Sequence, residues 1–253
     1  MTIYLQMLGT GDAFSTKYYN NNAVLQDHGY TLLIDCGVTA PQAMKSLGKS
    51  FREVNETLIT HIHGDHIGGL TELAHTPSQE PHGKMTLLLA ETLIDPLWQH
   101  PLLEPLHRKG ATRSLADIFN VKPLKPDTPY KLSPSLTLEL IRTPHMPGKA
   151  SYSLLLNECI FYSADLTFQP ELLLHLVHNR GVTKILHDCQ LSGRGQVHTT
   201  LRELMSLPEE VRKLIMLMHY SDEKPKFEGH TGEMEFLEQQ VPYALPGCRK
   251  DSL

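Results

Sequence analysis

Six consecutive residues, His61-Ile62-His63-Gly64-Asp65-His66, carry three imidazoles and a carboxylate, and no other feature constrains this chain as strongly. At the chain's own His and Asp frequencies such a string arises by chance in about two or three chains per thousand of this length, so it reads as functional. In extended backbone, residues two apart point to the same side, which lets His61 and His63 face one ion. Gly64 then turns the chain, and Asp65 and His66, arriving at the start of a helix, can face a second ion beside the first. Imidazole and carboxylate donors together suit Zn²⁺, with Mn or Fe as allowed substitutes.

Four donors from one loop cannot close two catalytic metal sites, so others must come from distant strand ends. His145 follows an apolar strand in Arg-Thr-Pro-His, Asp165 ends the strand Ile160 to Ser163, and His219 ends the very apolar strand Leu214 to Met218. Each stands where a buried strand emerges, the usual place for sites on open α/β sheets.

The rest of the chain supports an α/β fold. Strands are expected at Ile3 to Leu8, Ala23 to Gln26, Tyr30 to Ile34, Thr57 to Thr60, Met85 to Leu89, Leu136 to Ile141, Tyr152 to Leu156 and Ile185 to Asp188, besides the two just named. Helices are expected at Gly68 to Leu73, Glu91 to Trp98, Pro170 to His178, Thr199 to Leu207 and Gly232 to Gln240. Hairpins, one of them at Asp27-His28-Gly29, require antiparallel pairs, so the sheets are mixed rather than doubly wound and parallel. Asn120 to Ser135 holds four prolines and is expected to be a surface loop. With 253 residues and 40% hydrophobic composition the chain can bury one large core, and residues 1–253 are read as a single domain.

Charge and cysteine usage narrow the partners. Basic residues number 23 and acidic ones 28, a net charge of −5 without like-charge runs, which excludes a diffuse nucleic-acid coat while allowing a local basic pocket. Cys36, Cys159, Cys189 and Cys248 lack close pairing and are expected to be reduced core thiols. No apolar run approaches the roughly eighteen residues of a membrane span, and no basic leader is visible, so a cytoplasmic location and no membrane partner are expected.

These residues carry a resemblance. Ile34-Asp35-Cys36-Gly37, the His61/His63/Asp65/His66 motif, His145, Asp165 and His219 occur in the order seen in metallo-β-lactamase-fold hydrolases. The resemblance implies an αββα sandwich, with helices on the outer faces of two mixed sheets and two divalent metal ions at one sheet edge. It implies that His61, His63 and His145 hold one ion, that Asp65, His66 and His219 hold the other, and that Asp165 bridges them. Asp35 would brace the metal loop. Gly9-Thr10-Gly11, His198-Thr199-Thr200 and His219-Tyr220-Ser221 resemble the branch of phosphodiesterases related to the tRNA 3′-processing nucleases. In that branch the counterpart of His198 sits over the scissile phosphate, oriented by an acid for which Asp188 is the nearest match.

Only 19 residues separate His145 from Asp165, leaving no room for a tRNA-gripping arm, so long nucleic acid is a poor substrate. An armless, acidic chain of this size is similar to the phage anti-Pycsar phosphodiesterases. That resemblance implies hydrolysis of cyclic mononucleotides by a hydroxide bridging the two ions, in the host cytoplasm if the chain is phage-encoded. It also implies a homodimer, with Asn120 to Ser135 and Asp222 to Gly232 as candidate contacts. The catalytic candidates are therefore Asp65, His198 and Asp188, although His198 could instead cap the helix that follows. An RNase Z-like endonuclease, a lactone or thioester hydrolase and a non-catalytic nucleotide sponge are the competing readings. His75, His82, His100, His107, His175, His178 and His187 lack metal spacing and are read as exposed or satisfied in the core. Tyr18, Asn20, Asn21 and Asn22 either line the pocket or form a turn.

Overall fold

The computed structural model describes residues 3–76, 83–107 and 112–245; His82 and Cys248 lie outside them. Fourteen strands occur among the described residues: β1 Ile3–Gly9, β2 Asn22–Asp27, β3 Tyr30–Ile34, β4 Glu56–Ile59, β5 Thr86–Ala90, β6 Asn120–Leu124, β7 Pro129–Lys131, β8 Thr137–Arg142, β9 Tyr152–Leu156, β10 Ile160–Tyr162, β11 Lys184–Asp188, β12 Ile215–Met218, β13 Glu235–Phe236 and β14 Pro242–Leu245. They form two seven-stranded sheets, ordered β14-β1-β2-β3-β4-β5-β6 and β13-β12-β11-β10-β9-β8-β7. From one edge to the other, each sheet has three antiparallel pairings followed by three parallel ones. The two halves therefore share a topology although their sequences show no repeat.

Strand alternation builds the layers. In β9 and β10, Leu154, Leu156, Ile160 and Tyr162 join the core between the sheets, whereas Leu155 and Phe161 belong to a second cluster. That second cluster also holds Leu173 and Leu176 of the helix Pro170–His178, and Leu201 and Leu204 of the helix Leu201–Met205. Residues two apart share a face, so the second sheet is apolar on both faces, packing inward on its partner sheet and outward on helices. The first sheet is covered in the same way by the helices Ala40–Ser46 and Glu91–Leu97.

Two expected elements differ from what forms. The proline-rich stretch contributes β6 and β7, each at the free edge of its sheet, with Pro129 as the first residue of β7. Proline's missing N–H excludes a central strand but not an edge strand, where no second neighbour needs the donor. Gly232 to Gln240 is not helical; its Glu235–Phe236 pairs parallel to β12 as β13. There a parallel strand edge offers ladder bonds that outcompete local helix propensity. Among the cysteines, Cys36 and Cys189 are buried free thiols, but Cys159 is disulfide-bonded. Bridging depends on the spatial approach of Cα and Cβ atoms, which spacing along the chain does not reveal.

The chain is tightest where the loop after β3 meets the metal-motif loop after β4. The Gly37 N–H donates to Asn22 Oδ1 at 2.8 Å, and Asn22 Nδ2 donates to the Asp65 carbonyl at 3.1 Å. A Cβ on Gly37 would lie 1.9 Å from that carbonyl oxygen, and one on Gly69 2.6 Å from the Gly37 carbonyl, whereas one on Gly64 would meet nothing within 4 Å. Gly37→Ala is therefore expected to lower the unfolding free energy by about 1–3 kcal/mol through overpacking, while Gly64→Ala stays within about 0.5 kcal/mol. Urea denaturation of the two variants side by side checks this, and equal costs would refute the packing account.

Candidate metal centre

The C-terminal ends of β3, β4, β8, β10, β11 and β12 open at one rim of the sandwich, and each delivers a polar side chain there. Isolated bridges tie the sheets together at this rim, His61 to Ser151 and Gly11 to Tyr220. The chain turns sharply at three strand ends, where Asp35, Ala164 and His219 have φ of 59°, 50° and 54°. Left-handed backbone costs a non-glycine residue about 1–2 kcal/mol, so the surrounding packing must hold these turns. They aim Asp35, Asp165 and His219 at one point.

All seven donors expected from the sequence converge there in two groups that share Asp165. One contains His61, His63, His145 and Asp165, the other Asp65, His66, His219 and Asp165. In the first, His63 Nδ1 lies 3.1 Å from His61 Nε2 and 3.2 Å from His145 Nε2, and Asp165 Oδ2 lies 3.5 and 3.6 Å from those two nitrogens. In the second, Asp65 Oδ2 is 3.2 Å from both His66 Nε2 and His219 Nε2, and Asp165 Oδ1 is 3.3 and 3.5 Å from them. Four donors about 2.1 Å from a tetrahedral ion stand about 3.4 Å apart, so both groups have the spacing of a metal cage. Buried His66 Nε2 and Asp165 Oδ1 have no hydrogen-bond partner. The donors thus fit two divalent cations.

Surrounding groups fix which nitrogen of His145 and of His66 faces the cluster. His145 Nδ1 donates to the Val197 carbonyl at 2.7 Å, leaving Nε2 toward the cluster. His66 Nδ1 donates to Asp35 Oδ2 at 2.8 Å, and Asp35 also accepts from the Thr60 N–H and hydroxyl. The brace expected of Asp35 is therefore direct, running from β3 through Thr60 and His66 to the cluster. His219 is steadied through Tyr220, whose N–H donates to the Thr10 carbonyl and whose hydroxyl donates to the Leu237 carbonyl.

Burial and charge divide the imidazoles. Burial, and then the His61 and His145 rings beside it, push His63 down to about 4, and burial likewise holds His145 at about 4 against the pull of Asp165. Burial and His66 lower His61 as well. Burial also disfavours charge on His219 and His66, but the carboxylates outweigh it: Asp165 and Asp65 raise His219 to about 9 and, with Asp35, hold His66 well above its ordinary value. Burial opposes ionisation of Asp165 too, yet His219, His66 and His61 keep its carboxyl well below the usual range.

His198 and Asp188 also meet as expected, with Nδ1 to Oδ2 at 3.0 Å. The capping alternative falls to Thr200, whose hydroxyl accepts from Glu203 N–H at 3.2 Å. The His198 ring stacks on His219 with centroids 4.8 Å apart and lies 4.0 Å from Asp165 Oδ2. Of the histidines set aside as lacking metal spacing, His187 is buried with Nδ1 on the Asp188 carbonyl, and His100 lines the cavity beside His63. Asn20 and Asn22 form neither the expected turn nor a wall of the cavities at the cluster: Asn22 opens β2, Asn20 is bridged to Gly11, and their side chains hold Gly37 and Thr39. Two cavities flank the cluster. One of about 750 Å³ is lined by His61, His63, His145, Arg142 and Lys149. The other, about 420 Å³, is lined by Phe14, Asp12, His198, His219 and Glu223. The second was not foreseen, because nothing local marks the Asp12 to Ser15 loop as neighbouring His219.

Residues 3–243 match the profile of the family described as anti-Pycsar protein Apyc1. A relative of that description from Paenibacillus sp. (strain J14) is 54% identical over 97% of this chain and 100% of its own length. Another from Bacillus phage vB_BsuM-Goe3 is 38% identical over 94% and 96% of the two chains. Among solved structures, the metallo-β-lactamase fold protein YhfI from Bacillus subtilis superposes with TM-score 0.73 at 15% identity, covering 96% of this chain and all of its own. The short form of human tRNase Z does so with TM-score 0.68 at 18% identity, covering 96% and 99%. The fold is that of the metallo-β-lactamases.

Two outcomes follow from the charge pattern. Between pH 6.5, the ordinary histidine value, and about 4, the unfolded chain takes up protons that His63 and His145 refuse, so stability falls as pH drops through that window. The stabilisation from His219 is complete below about 6.5 and is lost as pH rises toward 9. Urea midpoints of chelator-treated protein should therefore peak near pH 6.5, and a flat profile from pH 8 to 5 would contradict the assignment. Separately, Asp165 and Asp65 favour protons on His66 and His219, and the nitrogens facing the cluster must shed protons to bind metal, so zinc uptake at pH 7 should release a measurable number of protons. Calorimetry in buffers of differing ionisation enthalpy reads that number.

Proposed function

The chain belongs to the anti-Pycsar protein Apyc1 family, and from that premise we propose that it is a metal-dependent phosphodiesterase that opens the phosphate ring of cyclic mononucleotides. The observation that carries this reading is the pair of four-donor groups sharing Asp165, with His198 held beside them by Asp188. The donor set, five imidazoles and two carboxylates, suits zinc. Divalent ions held by His61, His63, His145 and Asp165, and by Asp65, His66, His219 and Asp165, would make solvent a competent nucleophile at neutral pH and neutralise charge on the phosphoryl oxygens.

The chain's own residues supply orientation and a proton. Asp165 turns one carboxylate oxygen toward each triad, and Asp35 with Thr60 holds His66 so that Nε2 faces inward. Burial disfavours ionisation of Asp188, but the His187 and His198 imidazoles beside its carboxylate keep its pKa below the ordinary range. Asp188 thus takes the proton-bearing Nδ1 of His198 and leaves Nε2 for substrate. Hydrolysis forms a bond from a solvent oxygen to phosphorus and breaks the bond from phosphorus to a ribose oxygen. The leaving oxygen needs a proton, and His198 Nε2 is placed to donate it. Asp65 orients His66 and His219 from its shared oxygen. The product is a linear nucleoside monophosphate.

Incubation with a mixed set of 3′,5′- and 2′,3′-cyclic nucleotides should yield linear monophosphates, and chelation should abolish the yield. His198→Ala should lower kcat by about 10²- to 10⁴-fold. Turnover of precursor tRNA or an acyl-homoserine lactone with cyclic nucleotides untouched, or stoichiometric capture without product, would overturn the reading.

A further inference from the structure

Phe14 is 90% exposed, the most exposed of the large hydrophobic side chains among the described residues. Its loop is nonetheless pinned. The Asp222 carboxylate accepts from the Ser15 hydroxyl, from the Thr16 N–H and hydroxyl, and from the Lys17 N–H. The Phe14 N–H donates to Asp12 Oδ1 at 2.9 Å, and the Asp12 N–H donates to the Tyr220 carbonyl, next to His219. A Cβ on Gly11 would lie 2.7 Å from Ser15 Cβ, so the loop is also close-packed at its base. A flexible loop could fold an aromatic ring back onto the surface, but this one fixes the backbone from which the ring projects into water. A single exposed ring is ordinary by itself, but one projecting from a pinned backbone into the wall of a cavity suits cover by a ligand.

The place is the wall of the smaller cavity, which His198 and His219 also line. Its other charged lining residues are acidic, Asp12, Asp222 and Glu223, and no lysine or arginine lines it among the described residues. Arg142 and Lys149 stand on the opposite flank, in the larger cavity. An anionic phosphate is repelled by the acidic flank, whereas an uncharged planar ring is not. At about 420 Å³ the cavity is within the range of small-ligand sites. We infer that Phe14 is a stacking platform for the nucleobase, so that the base lies in the Phe14 cavity while the phosphate lies at the His/Asp cluster. This inference rests on the cyclic-nucleotide reading above and adds to it the position of the base and the residue that selects for it.

Base stacking on an aromatic side chain strengthens binding by about 5- to 150-fold. The test compares a 3′,5′-cyclic nucleotide with the base-free 1-deoxyribose 3′,5′-cyclic phosphate, using the full chain loaded with zinc. Phe14→Ala should raise KM for the nucleotide by about 10- to 100-fold with kcat changed much less, and selectivity for the nucleotide over the base-free ester should fall by the same factor. Phe14→Tyr should retain that selectivity and Phe14→Leu should lose it, since leucine keeps apolar area without a π face. Calorimetric Kd values for a phosphorothioate cyclic nucleotide should follow the same order, and the solution mass of each variant should match the parent. Equal losses on both substrates, a changed solution mass, full selectivity in Phe14→Leu or an unmoved KM would each refute the stacking role. Parent protein that hydrolyses the nucleotide while Phe14→Ala behaves identically refutes stacking alone. Parent protein that neither binds nor hydrolyses it refutes the reading beneath as well.

Discussion

Asp165 is the charge on which this structure turns. It is 1% exposed, and its two oxygens face different sets of imidazoles, His61 and His145 on one side and His66 and His219 on the other. An ionised carboxylate out of water costs several kcal/mol unless it is paired, so the fold must bring positive charge to both oxygens. It does so with histidines from three separate stretches of chain. The buried carboxylates shift His66 and His219 toward their protonated forms, and divalent cations would supply positive charge at the same place. The same constraint explains why Asp35, Asp65 and Asp188 are each tied to an imidazole rather than left to water.

Holding those charges in position requires strain that the rest of the fold supports. Asp35, Ala164 and His219 sit in left-handed backbone within two residues of the ends of strands whose residues are almost wholly buried. Parallel ladders on both sides of β11, and the sheet-to-sheet bridges at His61 and Gly11, keep the strand ends from relaxing. Gly37 and Gly69 allow the brace loop and the metal-motif loop to touch through their backbones, a closeness that any side chain would prevent. Rigidity at this rim therefore comes from ordinary sheet packing, and it is spent on aiming donors.

How much of this was legible in the sequence depends on how local each feature is. His61, His63, Asp65 and His66 could be read together because six residues of strand and turn geometry already place them. His145, Asp165 and His219 were legible as donors at strand ends, but not as partners of particular oxygens. Asn120 to Ser135 was misread because proline was weighed against central strands only, and the stretch lies at two sheet edges. Gly232 to Gln240 was misread because its pairing partner, β12, is an element chosen by the fold and not by the segment. Asn22 gave no signal of its role, since bonding to Gly37 and Asp65 joins residues far apart in the chain.

The sequence by itself determined the chemistry at this rim: the kinds of donor, their number, the turn that splits the motif between two groups, and the apolar strands that carry the remainder. Those properties are carried by side-chain identity and by periodicity over a few residues. Only the tertiary structure decided that Asp165 faces both groups, that Asp188 lies 3.0 Å from His198, and that Phe14 stands exposed beside His219. Each of these is a distance between segments brought together by sheet pairing and core packing, whose energies are summed over the whole chain and cannot be assigned to any one stretch of it.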